Sequence, residues 1–412
     1  MKILLFCLLI LFLFTASACG TDSIPQADIS EIVFEDESMT PAIPEGGYAR
    51  FETLNGTLLL FNETALYKSN DNGTTWNRTV ISQNAASEAV SSTGKTHKLS
   101  LENWQGFVMA DGTVMVSYRA RTKDYTSGEF YTSIRVMTST DGAETFSNEV
   151  IIAEATTDSF HGFWEPFIIQ PDENTLLLFY SDDLNVNFSG IQQNIVYHEY
   201  DISNNTWSEA TIAINGVKRN SRDGMPVITK LCDGGYAMVI ETQDYNFRFH
   251  GTTFGKSIFV ISLSLSEDGK TWSSPTPIVA PEKIRGGNRC AAPFITTLPD
   301  GRVIVSYMTE DGFSGTKVSD EVLNCVYGAV ISNDAITTKT KLSSTKGGPA
   351  KGFTTLPDIF EDATNGYMVW NSVYCDGKYV YFAGSAGAND GSFAPSLRIR
   401  RADVTKLSAN HS

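Results

Sequence analysis

At 412 residues the chain exceeds the length at which one compact core usually divides, so two domains or a repeated unit is expected. Its 31 Lys and Arg stand against 47 Asp and Glu, a net charge of −16. That balance argues against nucleic acid and anionic membrane as main partners, since both need a basic footprint, and suits a neutral, hydroxyl-rich ligand such as a sugar.

Lys2, the apolar run from Ile3 to Phe14 and the small residues Thr15-Ala16-Ser17-Ala18 read as a secretory signal over residues 1–19. The run is too short to span a bilayer, and no other apolar run in the chain approaches that length. Cys19, directly after Ala-Ser-Ala, resembles a bacterial lipoprotein box. A lipid anchor at Cys19 is one expectation and ordinary cleavage nearby the other, so the chain is expected outside the cytoplasm, secreted or surface-anchored, and as a monomer. Residues 20–28 form a polar lead, and residues 29–405 form one domain. Past the signal, Cys232, Cys290, Cys325 and Cys375 show no metal-type spacing, and no metal or cofactor is expected. In an exported protein these four are disulfide candidates, with three pairings open.

From there the chain is a series of short β-type runs without a convincing amphipathic helix. Six turns, five of them Asn-Gly or Asp-Gly, lead into apolar second strands. They are Asn55-Gly56 into Thr57–Phe61, Asp111-Gly112 into Thr113–Tyr118, Glu173-Asn174 into Thr175–Tyr180, Asp233-Gly234 into Tyr236–Ile240, Asp300-Gly301 into Arg302–Tyr307 and Asn365-Gly366 into Tyr367–Trp370. The interval is about 55 to 66 residues. Third strands follow at Thr132–Met137, Gln193–Tyr200 and Ser257–Leu265. Three units then carry a turn of one type: Ser69 to Trp76, Ser139 to Phe146 and Ser266 to Trp272. In each, an Asp side chain accepts from backbone N–H groups, Gly supplies positive φ and an aromatic closes the turn. The pattern predicts an all-β, six-bladed β-propeller of four-stranded antiparallel blades. The early run Ile32–Phe34, lacking a hairpin partner, is expected to close the ring beside Ser396–Ala402.

In such a ring the first strand of each blade lines a central shaft, so polar residues at the start of first strands or the end of second strands share one funnel. This selects Arg50, Arg119, Arg121, Glu165, Asp182, Asp183, Arg222, Asp223, Glu241 and Arg289. Glu165, between Trp164 and Pro166-Phe167, is costly to bury without purpose. Glu241 follows four apolar residues and ends a strand at the funnel. Glycosidic bond cleavage needs two carboxyl groups facing one sugar, which makes Glu165 and Glu241 the candidate catalytic pair. The apolar setting of Glu165 favours a proton donor and the polar setting of Glu241 a nucleophile. Arg50, Arg119, Asp182, Arg222, Asp223 and Arg289 are candidate substrate-binding residues. Trp104, Phe163, Trp164, Tyr245, Trp370 and Tyr374 are candidate sugar-stacking platforms, of which Trp104, Trp164 and Tyr374 complete the predicted site.

The turns at Asp71, Asp141 and Asp268 resemble the Asp boxes of sialidase-type propellers. Trp164-Glu165-Pro166-Phe167, and Gly224-Met225-Pro226-Val227 followed by Glu241, resemble the signatures of glycoside hydrolase family 93. The resemblance spans the mature chain and includes Arg50 in its Tyr-x-Arg setting. It implies a six-bladed exo-α-L-1,5-arabinanase that releases arabinobiose from arabinan with retention, using Glu165 and Glu241. It also implies a functional tyrosine, for which Tyr327, Tyr367 and Tyr374 are open alternatives. Two other readings stay open: an exo-sialidase with Arg50, Arg222 and Arg289 as its carboxylate clamp, although Arg50-Phe51-Glu52 stands where Arg-Ile-Pro is expected, and a non-catalytic carbohydrate-binding propeller.

Overall fold

The computed structural model describes residues 32–184, 192–244, 258–282, 289–313, 324–360, 366–388 and 395–404. The signal, Cys19, the polar lead, Tyr245 and the segment 283–288 before Arg289 lie outside the described residues. The described chain folds into six antiparallel sheets. Their first strands are Arg50–Leu54, Thr96–Val108, Phe163–Asp172, Ser221–Lys230, Cys290–Thr297 and Gly366–Cys375. Each of these packs against the first strand of the next sheet, and the last returns to the first, so the six form a closed inner ring. Among the described residues no helix is long and apolar enough to cross a membrane.

The uniform four-strand plan does not hold. The sheets contain four, five, five, five, four and three strands in chain order. Sheet two gains Glu88–Val90 on its first strand, and sheet four gains Gly348–Pro349, lent by the connection inside sheet five. Sheet six has only three named strands and takes its missing edge from the chain's beginning. Phe34 bridges Ala402 and Ile43 bridges Leu397, both antiparallel, and Thr40 Oγ1 donates to the Ile399 carbonyl at 2.6 Å. The expected closure by Ile32–Phe34 is therefore present and runs on to residue 43.

The last hairpin lies one strand later than the Asn365-Gly366 dipeptide implies. Gly366–Cys375 is the first strand of sheet six, not its second, and the hairpin turn lies at Asp376-Gly377-Lys378 before Tyr379–Ala388. Asp376 Oδ1 accepts from the N–H groups of Lys378 and Tyr379, and Gly377 has a φ of 92°. Both Asn-Gly and Asp-Gly are turn dipeptides, and only pairing distinguishes them. The three rim turns share one bonding scheme: the Ser hydroxyl accepts the Gly73, Ala143 or Gly269 N–H, and the Asp carboxylate accepts from Thr75, Thr145 or Thr271. Cys232, Cys290, Cys325 and Cys375 are all free thiols, so none of the three disulfide pairings forms.

The feature that shapes the shaft is a bulge. Five of the six first strands skip register at one level, between Glu102 and Gln105, Trp164 and Phe167, Gly224 and Val227, Ala291 and Phe294, and Val369 and Ser372. Each bulge holds a non-glycine residue at positive φ: Asn103 at 57°, Glu165 at 28°, Met225 at 53°, Ala292 at 49° and Trp370 at 55°. A bulge leaves one residue out of the ladder and re-aims its neighbours. In sheets three to five a proline follows (Pro166, Pro226, Pro293), and its missing N–H suits an unpaired position.

Replacing Thr40 with Val keeps its volume but strands the buried Ile399 carbonyl. We expect a loss of about 1–2 kcal/mol in chemical denaturation, from the closing edge of the ring.

Candidate active site

The bulges bring the site together. Directly opposite each pre-bulge residue, on the second strand, stand Arg119 (facing Glu102), Ser181 (facing Trp164), Glu241 (facing Gly224), Met308 (facing Ala291) and Ser385 (facing Val369). In sheet three this slot holds a latch: Ser181 Oγ accepts the N–H of Met225, the bulge residue of the next sheet, at 3.1 Å. In sheet four the equivalent Glu241 does the same, its Oε2 accepting the Ala292 N–H at 3.1 Å. Glu241 Oε1 accepts from Arg222 Nη1 at 2.8 Å. Glu241 is only 6% exposed, so a carboxylate there needs both partners.

Glu165 is the bulge residue of sheet three, half-buried, and among the described residues no arginine pairs with it directly. Burial lifts its carboxyl to about 7; Arg119, Arg222 and Arg50 pull the other way, and Glu241 pushes it further up. The two acids therefore lie within electrostatic reach of one another, on neighbouring sheets around one shaft. Arg119 stacks over the Trp164 ring at 4.3 Å and pairs with Glu102. Arg119 and Arg121, overriding burial, hold Glu102 down at about 2. Arg50, 2% exposed, lies over the Tyr48 ring at 4.1 Å and faces Phe294 at 5.2 Å. Neither Nε nor Nη1 of Arg50 has a protein partner, and the same holds for Nε and Nη1 of Arg119.

Of the residues predicted from sequence, the structure thus gathers Glu165, Glu241, Arg50, Arg119, Trp164 and Arg222. It sets others apart. Trp104 is 1% exposed and stacks on Tyr118 at 4.0 Å between the first two sheets, so it is core and offers no face to a sugar. Tyr374 donates to Thr53 Oγ1 at 2.9 Å and stacks on Phe51, lining a shaft cavity of about 490 Å³ beyond the bulges. Asp223 is sealed from solvent, accepting from Ser221 Oγ and Arg219 Nη1, each at 2.6 Å. It anchors the strand entry and does not face the funnel. Asp182 accepts the Leu184 N–H at 2.8 Å in its own loop, and Arg289 sits 3.8 Å from Glu310. Phe163 packs on Tyr180 in the core, whereas Trp370 lies against Tyr48 at 5.7 Å.

None of Tyr327, Tyr367 and Tyr374 neighbours the two acids. Tyr327 donates to the Ser372 carbonyl at 2.7 Å, and Tyr367 packs under Gly387. The tyrosine that feels both Glu165 and Glu241 is Tyr48, whose hydroxyl burial pushes up in pKa and which has no hydrogen-bond partner. Sequence reasoning missed Tyr48, Glu102, the Ala292 N–H and Gln193. For three bulges a signal was present: Glu165-Pro166, Met225-Pro226 and Ala292-Pro293 recur at matching strand positions. Among the described residues no cluster of three or more metal-type ligands occurs.

The closed ring of antiparallel sheets around a shaft is a propeller-type fold. The chain is similar to the glycoside hydrolase family 93 α-L-arabinofuranosidase of Fusarium graminearum, solved with arabinobiose, at 17% identity and a TM-score of 0.57, covering 91% of this chain and 97% of that one. It is similar also to the α-L-arabinanase of Penicillium chrysogenum complexed with arabinobiose, at 19% identity and a TM-score of 0.59, over 91% and 98% of the two chains. No protein-family model and no curated protein matches it.

Because the folded Glu165 carboxyl titrates near 7 rather than near its ordinary value of 4.5, the native state holds a proton there that the unfolded chain has lost. Stability from this group is therefore highest at low pH and falls as pH rises from about 4.5 through 7. Glu165→Gln removes that dependence, and denaturation at pH 8 is expected to show it more stable than wild type, with the gap closing near pH 4.

Proposed function

We propose that this chain is a retaining, exo-acting glycoside hydrolase of arabinan, an exo-α-L-1,5-arabinanase that releases arabinobiose, with each of the six sheets one propeller blade. The observation that carries this reading is the unequal setting of the two acids: Glu165 is poised to hold a proton near neutral pH, and Glu241 is fixed by Arg222 and the Ala292 N–H. In a retaining reaction Glu165 donates its proton to the glycosidic oxygen as the C–O bond breaks. Glu241 attacks the anomeric carbon and forms an ester. Glu165, now ionised, takes a proton from the incoming water, whose oxygen displaces Glu241 and completes the cycle. Arabinobiose in the solved structures of similar fold favours an arabinosyl substrate. We further propose export by residues 1–19, with lipidation at Cys19 or simple cleavage, and a monomeric enzyme.

The sialidase reading is weaker. A carboxylate clamp needs three arginines free to face the ligand, yet Arg222 is committed to Glu241 and Arg289 sits beside Glu310. A non-catalytic sugar-binding propeller would keep its affinity unchanged when Glu165 is replaced by Ala.

Incubation with linear arabinan, sialyllactose and a xylan panel is expected to yield arabinobiose from arabinan alone. Glu165→Ala and Glu241→Ala should each lower kcat by about 10³-fold or more. Azide should rescue Glu165→Ala with a retained sugar azide and Glu241→Ala with an inverted one; the reverse pattern exchanges the two roles. The rate should decline as pH rises through about 7, where Glu165 loses the proton it must donate. No arabinobiose from arabinan with the wild type would refute the assignment.

A further inference from the structure

Gln193 stands outside every motif in the sequence, yet it is held beside Glu241. It begins the third-strand segment of sheet three and crosses to the start of the first strand of sheet four, where it forms a parallel bridge with Arg222. Its N–H donates to the Ser221 carbonyl at 3.2 Å, and its carbonyl accepts from the Asp223 N–H at 3.3 Å. The backbone is boxed in as well: a Cβ on Gly216 would fall 1.9 Å from the Gln193 carbonyl oxygen. The side chain is equally confined. A Cβ on Gly224 would lie 2.9 Å from Gln193 Oε1 and 3.3 Å from Glu241 Oε1, so the absence of a side chain at residue 224 lets the carboxamide and the carboxylate share one glycine surface.

Although it is 1% exposed, the carboxamide has no hydrogen-bond partner at either Oε1 or Nε2 among the described residues. A buried amide with neither end paired carries a standing desolvation cost that an apolar residue of the same shape would avoid. Gln193 at 1% and Glu241 at 6% exposure are both buried, side by side against Gly224. Glu241 has its own two partners and Arg222 is turned to it, so the amide stands as an unpaired donor and acceptor beside this acid.

We infer that the Gln193 carboxamide is a substrate-positioning group that binds the hydroxyl next to the anomeric carbon of the sugar seated at Glu241. The inference rests on the glycosidase reading above. A hydrogen bond to that 2-hydroxyl strengthens as positive charge develops at the neighbouring carbon, so its effect falls on kcat more than on KM.

The test compares wild type, Gln193→Ala and the equally long Gln193→Met on an aryl glycoside of arabinobiose and on its counterpart lacking the 2-hydroxyl of the reacting ring. Wild type should prefer the hydroxylated substrate by about 100-fold in kcat/KM. Both variants should lose most of that factor on the hydroxylated substrate, chiefly in kcat, and should lose almost nothing further on the deoxy one. The Met variant fills the space, so it separates lost contact from lost packing. Variants that keep the full wild-type preference for the 2-hydroxyl overturn the assignment of Gln193 while leaving the glycosidase reading intact. A wild type inert on both substrates sinks that reading and this inference with it.

Discussion

The structure depends on how one sheet is fastened to the next at the level of the bulges. A propeller sheet buries its faces against two neighbours, but nonpolar faces can slide, and directional bonds fix the relative height of the sheets. Here the Met225 N–H reaches back to Ser181, the Ala292 N–H reaches back to Glu241, and Asn371 Nδ2 donates to the Tyr307 carbonyl. Each bond runs from a bulge on one first strand to the second strand of the preceding sheet. The bulges hold non-glycine residues at positive φ, a conformation that costs of order 1–3 kcal/mol each and persists only where surrounding contacts over-determine it. The latch bonds and the packed ring supply that determination. Glu165 and Met225 are under added restraint, because each precedes a proline.

The same device explains why the candidate catalytic acids differ in character. Glu165 is the bulge residue itself, turned out of the ladder with no ion pair among the described residues, so burial dominates and its proton is retained toward neutral pH. Glu241 occupies a latch slot on the next sheet, so its oxygens meet an amide and a guanidinium. One slot type thus holds a serine where only fastening is needed and a glutamate where the fastened group also faces the shaft. The arginines complete the balance. Arg119 is tied to Glu102 and stacked on Trp164, and Arg50 is stacked on Tyr48, so cationic charge stays near Glu165 without neutralising it through a direct contact.

Away from the shaft the chain secures the ring by other means. The N-terminal segment supplies the missing edge of the last sheet, and Glu35 and Glu37 pair with Arg401 and Arg398 across that seam. The rim turns at Asp71, Asp141 and Asp268 satisfy their own backbone donors and lie far from the bulges in register. Their role is to end strands cleanly, which is why such turns report on fold and carry no information on substrate.

Local chemistry was legible in the amino-acid order, and relations between sheets were not. Turn dipeptides, apolar alternation and the repeated Asp turns sufficed for an all-β ring of six units and for its closure by the first strand, and strand ends together with the Trp164-Glu165-Pro166-Phe167 motif pointed to Glu165, Glu241, Arg50, Arg119, Trp164 and Arg222 as candidates that the fold places around one shaft. Strand edges lent between units, such as Gly348–Pro349, escaped it because an edge can pair with any edge brought near. Asp223 was selected as a polar residue at a strand entry and Trp104 and Tyr374 as aromatic stacking candidates, but alternation along a strand does not tell the shaft from the crevice between two sheets. Only the folded ring sends Trp104 into a crevice, seals Asp223 and brings Tyr48 to the acids. Gln193, too, takes its place solely through contacts with Ser221, Asp223 and Gly224 on the next sheet. A strand's own sequence determines its pleat and its turns, whereas the bulge that re-aims it and the neighbour it meets are settled when the ring closes.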